Sequence, residues 1–221
     1  MGATIAIVLL WIGFGGSHIA LSVLSIRDQL VRRLGEWPFR GLYSLVSLAF
    51  FIPLVWVYAA HKHAGPQLWL LSHGVALLLL MYVGMAVAFT LLFASFLRPS
   101  PAAVVPGDAT PKGVFRITRH PLFMGIALFA LLHLLPNGNA ADVAFFGGFV
   151  AFVLIGGWHQ DQRKLATAGP KFRQFYAATP FLPFTGTATL EGVHEMSPVV
   201  IAVGVVLTVV VRYFHASLFG P

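Results

Sequence analysis

From residue 4 to 24 the chain carries no Asp, Glu, Lys or Arg, and the same holds from 41 to 60 and from 68 to 97. A hydrocarbon core about 30 Å thick is crossed by about 20 helical residues, so uncharged runs of this length commit the chain to a lipid-soluble helical fold. Shorter apolar stretches follow at 121–135, 141–158 and 198–216. Asn137-Gly138-Asn139 marks a tight turn that makes the fourth and fifth stretches a helical hairpin. The expected fold is an all-α polytopic transmembrane bundle of about six spans, forming one integral membrane domain over residues 1–221. Only 10% of the residues are charged, against about a quarter in soluble domains, which excludes a water-soluble globule.

The net charge of +7 is unevenly placed. Arg27, Arg32, Arg33 and Arg40 fall in the first connection; Arg98, Lys112, Arg116 and Arg119 in the third; Arg163, Lys164, Lys171 and Arg173 in the fifth. The second and fourth hold only Lys62. Cytoplasmic loops carry the Lys/Arg excess, so the expected orientation has these three connections cytoplasmic and both termini outside, in a bacterial inner membrane facing anionic lipid. The first span lacks a basic leader and a clear small-residue cleavage site, and reads as a retained helix. No basic run is interleaved with aromatics in a polar segment, which speaks against nucleic acid as a partner. The absence of cysteine excludes disulfides, thiolate metal sites and cysteine nucleophiles. Lys112, Arg116 and Arg119 share a face opposite Val114, Phe115 and Ile117, so this segment is expected to lie in the interface. Tyr43, Tyr58, Trp56 and Trp69 fit an aromatic belt, and Glu36 and Asp161 are the two carboxylates of interest.

The chemistry rests on nine histidines: His18, His61, His63, His73, His120, His133, His159, His194 and His215. His18 lies within the first span and His133 within the fourth, where an imidazole facing lipid is costly. Two readings stay open for them. Each ring hydrogen-bonds a neighbouring helix, or the two together supply the axial nitrogens of a six-coordinate haem, one on each face of the iron at about 2 Å. Gly15, Phe129 and Ala130, one turn before them, would suit a flat plate. His120 opens the fourth span in Thr118-Arg119-His120-Pro121, and Pro121 suits a first helical turn. It lies about 20 Å from His133 along a helix, so the two cannot share a metal. Arg119 and His120 could bind a phosphate, a carboxylate or a haem propionate, or simply anchor the interface.

These motifs form an ordered set from about residue 13 to 185. It runs through His18, Arg27, Gly35-Glu36, Phe39-Arg40, Tyr43-Ser44-Leu45, His61, Gly65 and Leu68-Trp69. It continues through Gly113 to Arg116, Ile117-Thr118-Arg119-His120-Pro121, Gly125, His133, Gly138-Asn139, Gly157-Trp158, Asp161, Arg163, Leu165, Gly169 and Pro183-Phe184. In this set the chain resembles the NnrU family, and within it the zeta-carotene isomerase branch. The resemblance implies haem b with His18 and His133 as axial ligands, and a lipophilic polyene such as a carotenoid as substrate. In such a scheme His133 leaves the iron on reduction. The wider group's link to nitrite and nitric oxide respiration implies another reading, a non-enzymatic haem or accessory subunit. A more distant resemblance, through Arg119-His120-Pro121, Gly125, Leu165, Gly169, Phe172, Phe175 and Pro180, is to isoprenylcysteine carboxyl methyltransferases, which implies S-adenosylmethionine. That pattern departs at Asp161-Gln162 and at Leu122-Phe123.

Overall fold

The computed structural model describes residues 1–71, 74–103 and 106–219; His73 lies outside them. Among the described residues every regular element is helical: α1 (Gly2–Ser22), α2 (Leu24–Leu34), α3 (Glu36–Ala60), α4 (Val75–Leu97), α5 (Val114–Ile117), α6 (Pro121–Leu134), α7 (Ala140–Thr167), α8 (Gly169–Ala178), α9 (Thr189–Glu195) and α10 (Pro198–Phe219). Five of these, α1, α3, α4, α7 and α10, are long and apolar enough to cross a membrane, and α6 is the shorter sixth. The protein is a multi-pass helical membrane bundle, as its uncharged runs require.

Several features differ from the sequence expectation. The first basic connection is not a loop: Val23, in extended conformation, separates α1 from α2, and Gly35, at φ 89°, separates α2 from α3. The helix expected from residue 41 therefore starts at Glu36, whose carboxylate takes Arg27 at 3.0 Å and, one turn on, Arg40 at 3.0 Å. The run expected to be helical from 68 starts only at Val75. Before it, the backbone of 66–68 pairs with the hairpin turn, Leu68 N–H donating to the Gly138 carbonyl and Ala140 N–H to that of Pro66. A Cβ on Gly138 would sit 2.1 Å from the Trp69 carbonyl, so this contact demands glycine. Helix α7 runs on past residue 158 to Thr167, which makes Asp161 and Arg163 helix-borne. Finally, Val114, Phe115 and Ile117 do not face the interface; all three are buried in protein, with Phe115 edge-on to Phe175.

The chain divides into two compact units, Met1–Leu71 with His133–His159, and Ser72–Leu132 with Gln160–Pro221. In the first, α1 lies along α7. Trp11 donates to the Phe145 carbonyl at 3.2 Å and covers Gly148, where a Cβ would stand 2.1 Å from its indole nitrogen. In the second, α10 lies against α4 with Gly204 on Thr90, close enough that a Cβ would meet the threonine backbone nitrogen at 2.8 Å. Small residues at such seams let helix backbones approach where lipid provides no hydrophobic drive for association.

Candidate functional site

His18 projects from α1 into an aromatic enclosure formed by Phe14 at 4.2 Å, Tyr43 edge-on at 5.0 Å and Phe152 edge-on at 5.1 Å between ring centroids. Its Nδ1 lies 2.9 Å from the Phe14 carbonyl oxygen, one turn back. A carbonyl only accepts, so Nδ1 carries the proton and Nε2 keeps its lone pair. Ser47 Oγ approaches Nε2 at 3.4 Å, but its single hydrogen is donated to the Tyr43 carbonyl at 2.7 Å. The local fold therefore fixes the tautomer and aims a basic nitrogen away from its own helix.

A second imidazole shares that seam. Ser22, one turn beyond His18, donates to the Ile19 carbonyl at 3.0 Å and lies 3.2 Å from Nδ1 of His159. His159 and Phe152 are seven positions apart on α7, hence on one face. Nothing in the sequence marked His159 beyond its place at the start of a polar stretch.

His133, near the end of α6, stacks on Phe146 at 4.7 Å and 19°. Phe146 precedes Phe152 by six positions on α7, which is about 9 Å of rise and about 120° of rotation. His18 and His133 thus each pack against an aromatic ring of α7, Phe152 and Phe146 respectively. The donor chemistry of His18 fits an axial ligand of haem, with its outer nitrogen hydrogen-bonded to a carbonyl as such ligands commonly are.

Arg119 and His120 form a separate, buried constellation. Arg119 Nε donates to Asp161 Oδ2 at 2.7 Å and its Nη1 to the Thr179 carbonyl at 2.7 Å, while its guanidinium lies over Tyr176 at 4.2 Å. His120 Nε2 donates to Asp161 Oδ1 at 2.8 Å, and its ring stacks parallel to Phe123 at 5.6 Å. Asp161 is 1% exposed. The two side chains expected to receive an external anion are thus engaged by an internal carboxylate, which the longer α7 brings to them.

The carboxylate that sequence reasoning passed over is Asp142, fully buried at the start of α7. It accepts Tyr58 OH at 2.9 Å, the His63 N–H at 3.2 Å and His63 Nδ1–H at 3.0 Å. Tyr58 is thereby turned inward, stacked on Phe145 at 3.8 Å, instead of joining an aromatic belt. The available signal was a lone acid in an otherwise uncharged span.

Comparison with known proteins supplies what geometry alone leaves open. The family model described as NnrU protein matches residues 6–221. The chain is 28% identical over 198 residues to the chloroplastic 15-cis-zeta-carotene isomerase of Zea mays, covering 87% of this chain and 52% of that protein. It is 30% identical over 194 residues to the protein of the same name from Arabidopsis thaliana, covering 85% and 51%. The chain spans about half the length of these curated relatives. No solved structure matches. His18, Arg119, His120, His133 and Asp161 all lie inside the matched region, and the chain belongs to the NnrU protein family.

Proposed function

We propose that this protein is a membrane-embedded cis–trans isomerase of a carotenoid-like polyene, with haem b held through His18. The observation that carries the reading is the tautomer-fixed His18 within an aromatic enclosure, its Nε2 met by Ser47 Oγ at 3.4 Å, in a chain similar over most of its length to proteins named as carotene isomerases. Bound there, haem b supplies an iron that can act on a double bond as Lewis acid or electron donor. The protein's own part is positional. The Phe14 carbonyl fixes the imidazole, while Tyr43 and Phe152 wall the space beside it with flat apolar surface suited to a ring or a polyene. The substrate reaches such a site from the bilayer, so no aqueous channel is needed. Arg119, His120 and Asp161 act in this reading as a structural tie between the start of α6 and the end of α7.

The test is made on full-length protein in detergent. Wild-type protein is expected to carry haem b and, when reduced, to convert a cis-carotenoid; His18→Ala is expected to lose both. Colourless wild-type protein that still converts the substrate would sink the haem assignment alone. Haem-loaded protein that converts no polyene in either redox state would sink the isomerase.

A further inference from the structure

Helix α2 joins two membrane-spanning helices, yet none of its residues is buried in protein. Its composition is not that of a solvated connector. Around the helix Ile26, Leu30 and Leu34 fall within about 80° of one another, Ser25 and Arg32 lie on the side opposite them, and Gln29 and Arg33 flank Ile26. Ile26 and Leu34 are 41% and 45% exposed, and Trp37, just past the helix, is 77% exposed. A helix of this kind at the end of a span buries its apolar side in the acyl boundary and leaves its polar side among the headgroups.

The basic residues divide into two sets. Arg27 is bound by both oxygens of Glu36 at 3.0 and 3.2 Å, and Arg40 by one of them at 3.0 Å. Arg27 also lies over Phe39, and Arg40 over Trp37. Arg32 and Arg33, in the last turn, are exposed and make no ion pair among the described residues. One set closes the turn between α2 and α3; the other presents two exposed guanidinium groups without an ion pair among the described residues.

We propose that α2 lies in the membrane surface and binds anionic phospholipid headgroups through Arg32 and Arg33. Two arms test this on the full chain in nanodiscs. Because the sequence has no cysteine, single Leu34→Cys and Ser25→Cys variants, on opposite sides of the helix, can be labelled with bimane in an otherwise native background. Lipid-borne doxyl groups are expected to quench the label at position 34 several-fold more than that at 25, and aqueous iodide to do the reverse. Equal quenching of both sites by iodide would place α2 in water and overturn the proposal. In the second arm, retained phosphatidylglycerol is counted against phosphatidylcholine by native mass spectrometry. Arg32→Gln/Arg33→Gln is expected to lose the preference on the order of tenfold, Arg32→Lys/Arg33→Lys to keep it, and about 1 M salt to abolish it. An unchanged preference in the glutamine variant overturns the assignment to these arginines.

Discussion

His18 and His120 are both enclosed histidines among aromatic rings, and they differ in what their nitrogens touch. His120 directs Nε2 to a buried carboxylate that also holds Arg119. His18 commits Nδ1 to the carbonyl of its own helix and leaves Nε2 with only a distant hydroxyl whose hydrogen is engaged elsewhere. In a medium where an unsatisfied polar atom costs several kcal/mol, the first arrangement stabilises and the second waits for a partner. Depth singled out His18 and a helix-opening motif singled out His120, and neither signal separates these roles; hydrogen-bond accounting does.

The sharpest way to break this contrast is to remove each ring in turn. His18→Ala is expected to lower haem content by at least roughly tenfold, since loss of a ligand should exceed the effect of losing an outer-shell contact. His120→Ala should leave haem content near wild type, with a lower melting temperature. Equal haem loss in both variants would erase the distinction.

Next in size is Asp161→Asn, which leaves Arg119 buried beside a neutral amide and is expected to cost about 3–5 kcal/mol of stability. Thermal unfolding in detergent reads this directly, and a change within error would show that the cluster is not the tie described above. Ser47→Ala gives a smaller and more discriminating outcome. If its hydroxyl hydrogen serves the Tyr43 carbonyl, haem content should be unaffected; a marked change would mean that Ser47 satisfies His18 after all.

The smallest effect concerns Glu195, whose carboxyl is held below its ordinary value of 4.5 chiefly by the Gly113 N–H, with Arg116 adding to it. A depressed folded value contributes stability above the unfolded pKa that is lost as pH falls through the folded one. Wild type and Glu195→Gln should therefore differ in melting temperature at neutral pH and converge in acid. A gap that persists at low pH would count against this cause.

The spans were legible because an uncharged run about 20 residues long has one stable solution in lipid. Helix α2 was not, because its four charged residues resemble a loop until their spacing is read against a membrane surface. Residues 68–71 read as helix because they are as apolar as the helix they precede; Leu68 is held instead by a backbone hydrogen bond to a turn some seventy residues away. Within the site, His18, Arg119, His120 and Asp161 were visible as unusual residues in their settings. Their pairing was not. Which imidazole faces which depends on the rotation of α7, and no periodicity within α1 or α6 encodes it. Asp142 was overlooked because a single acid at a helix start reads as a cap, while its three partners come from α3 and the turn after it.

Helix α6 has 14 residues and so extends about 21 Å, well short of an average hydrocarbon core about 30 Å thick. Its flanks are Arg119-His120 at one end and Asn137 at the other, so polar groups are drawn inward at both ends. A bilayer meets such hydrophobic mismatch by thinning locally, at a cost that rises with each ångström. Membrane thickness thereby becomes a variable of this protein's environment. Short-chain lipids should ease the strain around α6, and sterol-thickened or long-chain membranes should exclude the protein or slow it.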